Sequence, residues 1–406
     1  MPAPGRLPEE ELMTDLLAGH GRACITPRYP VHMAGYGYRS ARSEGVHDDL
    51  YANAIYLTDG PGRALIVALD LCSFDRESLL ELKGAIEERT GLGPDEVLIN
   101  TSHTHAGPMT TRRAYQPFEP GYLGAVILRT AEAAALAVED AQAAMLAVGS
   151  APVEIGGNRR QTKPDGTVVL GVNPDGETLQ EVTVWRLARE AAPDLVLWTA
   201  PVHGVVMGDG NLLISSEWMG ATVRILEDAD PGLRAVFLQG CCGDQNPLCQ
   251  GSSFGWMDVL AERAARAVEQ ALDTARPVDA LPLVNLADTI ALPIAAEVRT
   301  EERATEPCSI HGLRLGEAAL VGLAGEPFVR YALYGRALHG EDTTMVLGYT
   351  DGTVSYLPTT EAYAEGGYEP GAYVWYPDGV PLDPSVEAVV KSAIERTLTK
   401  MGAISE

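Results

Sequence analysis

Only eight histidines occur in the 406 residues, and three of them stand at the ends of apolar runs. His103 and His105 lie in Asn100-Thr-Ser-His-Thr-His-Ala-Gly-Pro108, just after the apolar run that starts at Val97. His203 follows the run from Leu195 to Pro201. Alternate residues of an extended chain point the same way, so the His-x-His pair can present two imidazoles on one side. Neutral imidazole is a common protein ligand for zinc. A lone histidine at a strand end more often caps a backbone group. A pair plus a third at another strand end favours a metal site.

Other polar residues follow other apolar runs. Gln239-Gly-Cys-Cys-Gly-Asp244-Gln-Asn246-Pro247 carries two glycines and a proline, which let backbone turn tightly and approach a ligand. Read alone, it is a polar turn. Glu326, in Gly-Glu-Pro after Ala319–Leu323, could be a further metal ligand or a general base. Taken alone, such an acid is more often one favoured at a helix start. Six of the 15 tyrosines crowd between Tyr349 and Tyr376, either as aromatic plugs over a loop or as phenols lining a pocket. Blander roles suit the rest. Cys241 and Cys242 read as small core residues. Asp70 and Glu217 read as loop-ordering carboxylates, and His32, His47, His311 and His339 as structural.

Something must hold these groups together. Apolar runs at Leu65–Leu71, Val97–Asn100, Val182–Leu187, Leu195–Ala200, Ala235–Gln239 and Leu283–Ile294 predict strands. Leu313–Leu323 predicts a hairpin about Gly316. Helical spacing covers Ser78–Thr90, Tyr122–Ala141, Trp218–Glu227, Trp256–Ala275, Phe328–Leu338 and Ser385–Met401. The alternation predicts an α/β fold, a mixed β-sheet core flanked by helices. No linker, charge block or repeat divides the chain, so residues 1–406 read as a single domain. The Gly-, Pro- and Tyr-rich stretch Asp351–Pro384 is too long for an ordinary connector, which points to function.

Charge narrows the partners. Thirty Lys and Arg against 56 Asp and Glu give a net charge of −26. Such a surface repels nucleic acid and anionic lipid, so the expected partner is a small-molecule substrate, with no nucleic acid and no membrane anchor. The N-terminus lacks a basic segment followed by an apolar one, and no run of about 18 uninterrupted apolar residues occurs. The six cysteines form neither a disulfide framework nor a CxxC pair. These features lead us to expect a cytoplasmic protein. Oligomeric state is not legible.

Taken together, five segments resemble the catalytic domain of the neutral/alkaline ceramidases, in that family's order. They are Thr101–Pro108 (TSHTHAGP), Val202–Gly220 (VHGVVMGDGNLLISSEWMG), Gln239–Pro247 (QGCCGDQNP), Ala324–Arg336 (AGEPFVRYALYGR) and Tyr356–Glu369 (YLPTTEAYAEGGYE). The resemblance implies a neutral-ceramidase-like catalytic fold with Zn2+ held by His103, His203, Glu326 and Tyr356. It places His105 at the substrate carbonyl as an oxyanion-stabilising group and Tyr368 beside the reacting amide. Arg159, in an Asn-Arg pair like the family's, would orient substrate, although the adjacent Arg160 leaves the register open. Two departures stand out. Asn246 occupies the place of the family's nucleophilic serine, and the family's additional immunoglobulin-like domain has no counterpart here.

The expected activity is therefore that of a zinc-dependent hydrolase of an amide or ester in a small soluble substrate. Metal-activated water would attack a zinc-polarised carbonyl. Asp244 or Glu326 could move protons, and Asn246 could donate a hydrogen bond to substrate. An alternative keeps zinc as Lewis acid for non-hydrolytic acyl transfer, cyclisation or isomerisation in a biosynthetic pathway. A non-catalytic binding protein is the third reading, against which the retained His105, Tyr368 and Arg159 speak.

Overall fold

The computed structural model describes residues 16–111, 117–251, 253–376 and 379–405. Most of the N-terminal segment read above for a leader lies outside them. A large mixed sheet runs in the order Leu233–Gln239, Asp194–Ala200, Glu181–Arg189, Gln142–Pro152, Leu17–Cys24, Tyr51–Thr58, Arg63–Leu69, Val97–Thr101. The two outermost pairs are parallel and the rest antiparallel. A second sheet joins Leu283–Pro293, Thr305–Leu315, Ala318–Leu323 and Thr344–Leu347.

Burial explains the continuous apolar runs. Along Arg63–Leu69, Leu65, Val67 and Leu69 pack under helices, whereas Ala64, Ile66 and Ala68 pack against the second sheet. A strand buried on both faces reads as an unbroken apolar run rather than an alternation. The layers are thus helix, sheet, sheet, helix. Arg76–Thr90, Pro120–Glu139, Glu217–Ala229 and Phe254–Asp273 cover the large sheet, and Val329–His339 and Val386–Lys400 cover the second.

The predicted elements are present with ends shifted by a few residues. The helix expected from Ser78 starts at Arg76, because Asp75 accepts from the Ser78 backbone N–H at 2.8 Å. It stops at Gly91 in the left-handed region. The Gly316 hairpin is likewise observed, joining Thr305–Leu315 to Ala318–Leu323. The strand Leu17–Cys24 was not predicted. It carries His, Arg and two glycines, and those glycines let a helix press on it. A Cβ on Gly21 would stand 2.0 Å from the Ala133 carbonyl.

That helix, Pro120–Glu139, is long and apolar enough to cross a bilayer by length and composition. Here Tyr122, Leu123, Val126, Ala133, Ala134 and Ala137 are buried in the core. Beyond it, Asn100 joins the sheets near the site. Its Oδ1 accepts from the Gln239 N–H at 2.8 Å, and its Nδ2 donates to the Gly348 carbonyl at 2.8 Å. The ends of two edge strands and the segment leading to Tyr349 therefore meet at one side chain.

Candidate active site

His103 leaves the end of the Val97–Thr101 strand with φ of +57°, a strained conformation for a residue with a β-carbon. Its Nδ1 donates to the Cys72 carbonyl at 2.9 Å. His203 Nδ1 donates likewise to the Gln245 carbonyl at 2.9 Å. A carbonyl only accepts, so both rings carry their proton on Nδ1 and turn the Nε2 lone pair inward. The two loops are stitched together. Thr104 pairs with Gly204, and the His105 N–H donates to the Gly204 carbonyl at 2.9 Å.

Glu326 completes the cluster. Its Oε2 lies 3.4 Å from His103 Nε2 and 3.5 Å from His203 Nε2. The same carboxylate accepts from the Tyr349 hydroxyl at 3.1 Å and, through Oε1, from the Tyr376 hydroxyl. His105 Nε2 stands 3.0 Å from His103 Nε2. Burial pushes the Glu326 carboxyl up, yet His103 and His203 hold it well below the usual carboxylate range. Burial lowers His203 to about 4 and His105 well below the ordinary imidazole value. His103 is drawn up by Glu326 against its own burial.

The donor set fits a metal ion. Two imidazole nitrogens and a carboxylate oxygen face one another in a buried space, an arrangement that a metal ion among them would stabilise in place of a proton on His103. Ligand atoms of His103, His203 and Glu326 all lie within 4.8 Å of one another. Each histidine is oriented through its other nitrogen, as metal-ligating histidines are. Two imidazoles and a carboxylate suit zinc. Cys72 forms a second such group with His103 and His105.

Tyr356 is register partner to Glu326 in a two-residue parallel pair, Glu326–Pro327 with Tyr356–Leu357. Its phenol oxygen accepts from Arg159 Nη2 at 3.1 Å. Burial drives that phenol well above its ordinary pKa, and Arg159 opposes the shift. Arg159 also donates through Nη1 to Asn246 Oδ1 at 3.2 Å and through Nε to Glu369 Oε1 at 2.9 Å. Arg160 turns away to Glu369, Glu365 and the Gly366 carbonyl. Of the two arginines, Arg159 is the one that lines the cleft.

These groups line one end of a cleft of about 440 Å3. Tyr368 lies at its half-open side, edge-on to Tyr356 with ring centroids 5.7 Å apart. Tyr36, Tyr38, Leu170, Val205, Asp209 and Trp375 form the outer walls.

Asp244 is placed differently. It is absent from the cleft wall, and its carboxylate accepts from the Val329 N–H at 2.8 Å and from Asn158 Nδ2 at 3.1 Å. Burial lifts it to about 6. It holds the start of the Val329–His339 helix rather than facing a substrate. Glu217 orders a loop, as expected, by accepting from the Met207 N–H at 2.9 Å.

Several site residues escaped the sequence reading. Tyr349 and Tyr376 were noticed only as members of a tyrosine cluster. Glu369 follows Tyr368 directly, and Cys72 lies two residues after Asp70. Gly35 had no signal, because its role is steric: a Cβ there would stand 2.4 Å from the His105 ring, at a φ of +98°. His311 is structural, as its lack of a motif suggested. It is buried and bridges Asn285 and Asp351, both at 2.8 Å.

Comparison with known proteins places the family and the fold. The sequence profile of the family described as neutral/alkaline non-lysosomal ceramidase, N-terminal, matches residues 16–255. The fold is similar to that of neutral ceramidase from Pseudomonas aeruginosa, with a TM-score of 0.78 and 18% identity. That match covers 96% of this chain and 75% of the other. A ceramidase in complex with C2 matches with a TM-score of 0.76 and 17% identity, over 96% of this chain and 76% of that one.

Proposed function

The chain belongs to the neutral/alkaline non-lysosomal ceramidase family, and from that membership we propose that it is a zinc-dependent hydrolase of an amide or ester bond in a small soluble substrate. The observation that carries this reading is the convergence of two Nε2 lone pairs on the Glu326 carboxylate. His103, His203 and Glu326 would hold the ion, with Tyr356 as fourth ligand. Zinc, when bound, supplies Lewis acidity that polarises a carbonyl and acidifies water.

The chain's own groups do the rest. Arg159 fixes Tyr356 and Asn246 in one plane of hydrogen bonds. With its Oδ1 occupied by Arg159, Asn246 presents its Nδ2–H donors to a substrate oxygen. His105 is kept neutral by burial, so it can donate to a developing oxyanion. Tyr368 offers a phenol at the cleft mouth. Asp244 positions the Asn246 loop and the Val329 helix. We place the whole chain in this role as one catalytic domain, acting in the cytoplasm.

Zinc stoichiometry and a screen of N-acyl substrates test the proposal. Stoichiometric zinc lost in His103→Ala, together with turnover of an amide or ester, is the expected result. Zinc without turnover of any such substrate would overturn it. Asn246 favours a second reading, because an amide cannot be the acyl-accepting nucleophile. An amine or hydroxyl of the substrate, or of a second substrate, would then attack the carbonyl and break its original C–N or C–O bond. The amine or alcohol leaves with the attacker's proton, giving ring closure or transfer. Labelled water separates the two, since hydrolysis places its oxygen in the product and cyclisation does not.

A further inference from the structure

A second cavity, of about 450 Å3, lies behind the loop that carries His103 and shares no lining residue with the catalytic cleft. Its wall includes Arg22, Asp48, Asp70, Ser102, Arg224 and Glu227. Counting Asp49 as well, four carboxylates face two guanidiniums.

Most of these charges are already satisfied. Arg22 makes a two-pronged pair with Glu227 at 2.6 and 2.7 Å and donates to Asn53 Oδ1 at 2.6 Å. Arg224 pairs with Asp48 at 3.1 Å, and Asp48 also accepts from Ser215, Ser216 and His47. Asp49 accepts from the Thr26 hydroxyl at 2.8 Å.

Two groups are left over. Asp70 accepts one hydrogen bond among the described residues, from the Tyr51 N–H to Oδ2 at 2.9 Å. Ser102 is 3% exposed, and its Oγ has no hydrogen-bond partner. Buried polar atoms of this kind are rare, because losing water without gaining a partner costs about 1–3 kcal/mol. Burial lifts the Asp70 carboxyl to about 7, and among the described residues no cation is paired with it. Four carboxylates stand against two guanidiniums and His47 in this wall. The Ser102 hydroxyl can receive from the same donor as Asp70, so the partner that suits the pair is a cationic donor.

A bare metal ion fits less well. Among the described residues, the groups of three metal-ligating side chains close enough for an ion are those at the catalytic centre, and none falls in this cavity. The volume is that of a small-molecule pocket. We propose that this cavity binds a small organic ammonium ion, whose N–H groups Asp70 and Ser102 receive.

Thermal unfolding of the intact, metal-loaded protein tests this, with 1,4-diaminobutane as probe. Sodium chloride at matched ionic strength, magnesium chloride and 1,4-butanediol serve as controls. The expected result is a saturable rise of about 3 °C or more with the diamine alone. The rise persists in His103→Ala, disappears in Asp70→Asn and needs at least about threefold more diamine in Ser102→Ala. Should Asp70→Asn not fold, the Ser102→Ala midpoint decides. Absence of any rise overturns the proposal. So does a rise unchanged by both cavity variants, which would be screening of the acidic surface. An Asp70-dependent rise with magnesium but not with the diamine would make this a metal site instead.

Discussion

Asn246 Oδ1 accepts a hydrogen bond from Arg159 Nη1 at 3.2 Å, which settles the direction of the amide at the place where the sequence resemblance puts the family's serine. Its backbone is fixed as well, since Asn246 pairs with Gly157 in the short ladder Gln245–Pro247 with Gly156–Asn158. The side chain is therefore a held donor rather than a mobile surface group. Removing it in Asn246→Ala should lower kcat by roughly 10²-fold, the usual cost of one oxyanion donor, with KM little changed. Steady-state kinetics on the substrate found by the screen would check this. Loss confined to KM would show that Asn246 only binds.

Glu369 is buried between Arg159 and Arg160. Glu369→Gln leaves two buried guanidiniums facing a neutral amide. Breaking one partner of a buried charge cluster costs about 3–5 kcal/mol. Urea unfolding of the variant should show a loss of that order, and a change within about 0.5 kcal/mol would contradict the buried pairing.

Gly35 and the His105 ring are in close contact, with no room for a methyl group. Gly35→Ala should displace the imidazole while leaving His103, His203 and Glu326 in place. Zinc content should stay stoichiometric, and activity should fall on the order of 10²-fold. Loss of zinc in this variant would place His105 among the ligands.

Glu217 gives a pH dependence with a definite sign. Burial lifts its carboxyl from 4.5 to about 7. The folded chain therefore keeps a proton that the unfolded chain releases, and stability falls as pH rises from about 4.5 to about 7, then levels off. Glu217→Gln does not titrate, so it should remove this part of the slope, worth up to about 3 kcal/mol between pH 5 and 8. Urea midpoints at both pH values, for both proteins, measure it. Identical slopes would refute the assignment.

Much of the site was legible because its residues follow apolar runs. His103, His203 and Glu326 each stand just beyond a strand buried on both faces, where periodicity is plain. Asp244 was misjudged for the opposite reason. Asn246, two residues on, lines the cleft, but the Asp244 carboxylate caps a helix 85 residues away in sequence. Tyr349 and Tyr376 reach Glu326 across separations of 23 and 50 residues, which no local pattern reports. The Leu17–Cys24 strand, with glycines, His20 and Arg22 among its residues, gave no strand signal because the helix packed on it demands missing side chains rather than apolar ones.

The two-residue pair of Glu326 with Tyr356 has a consequence for how the protein matures. The family profile ends at residue 255, so both histidines precede that point and both of these oxygens follow it. A nascent chain that has folded only its first sheet owns half a chelate. A metal ion held by His103, His203, Glu326 and Tyr356 would therefore need both parts of the chain in place, and would tie the early half to the late half like a rivet.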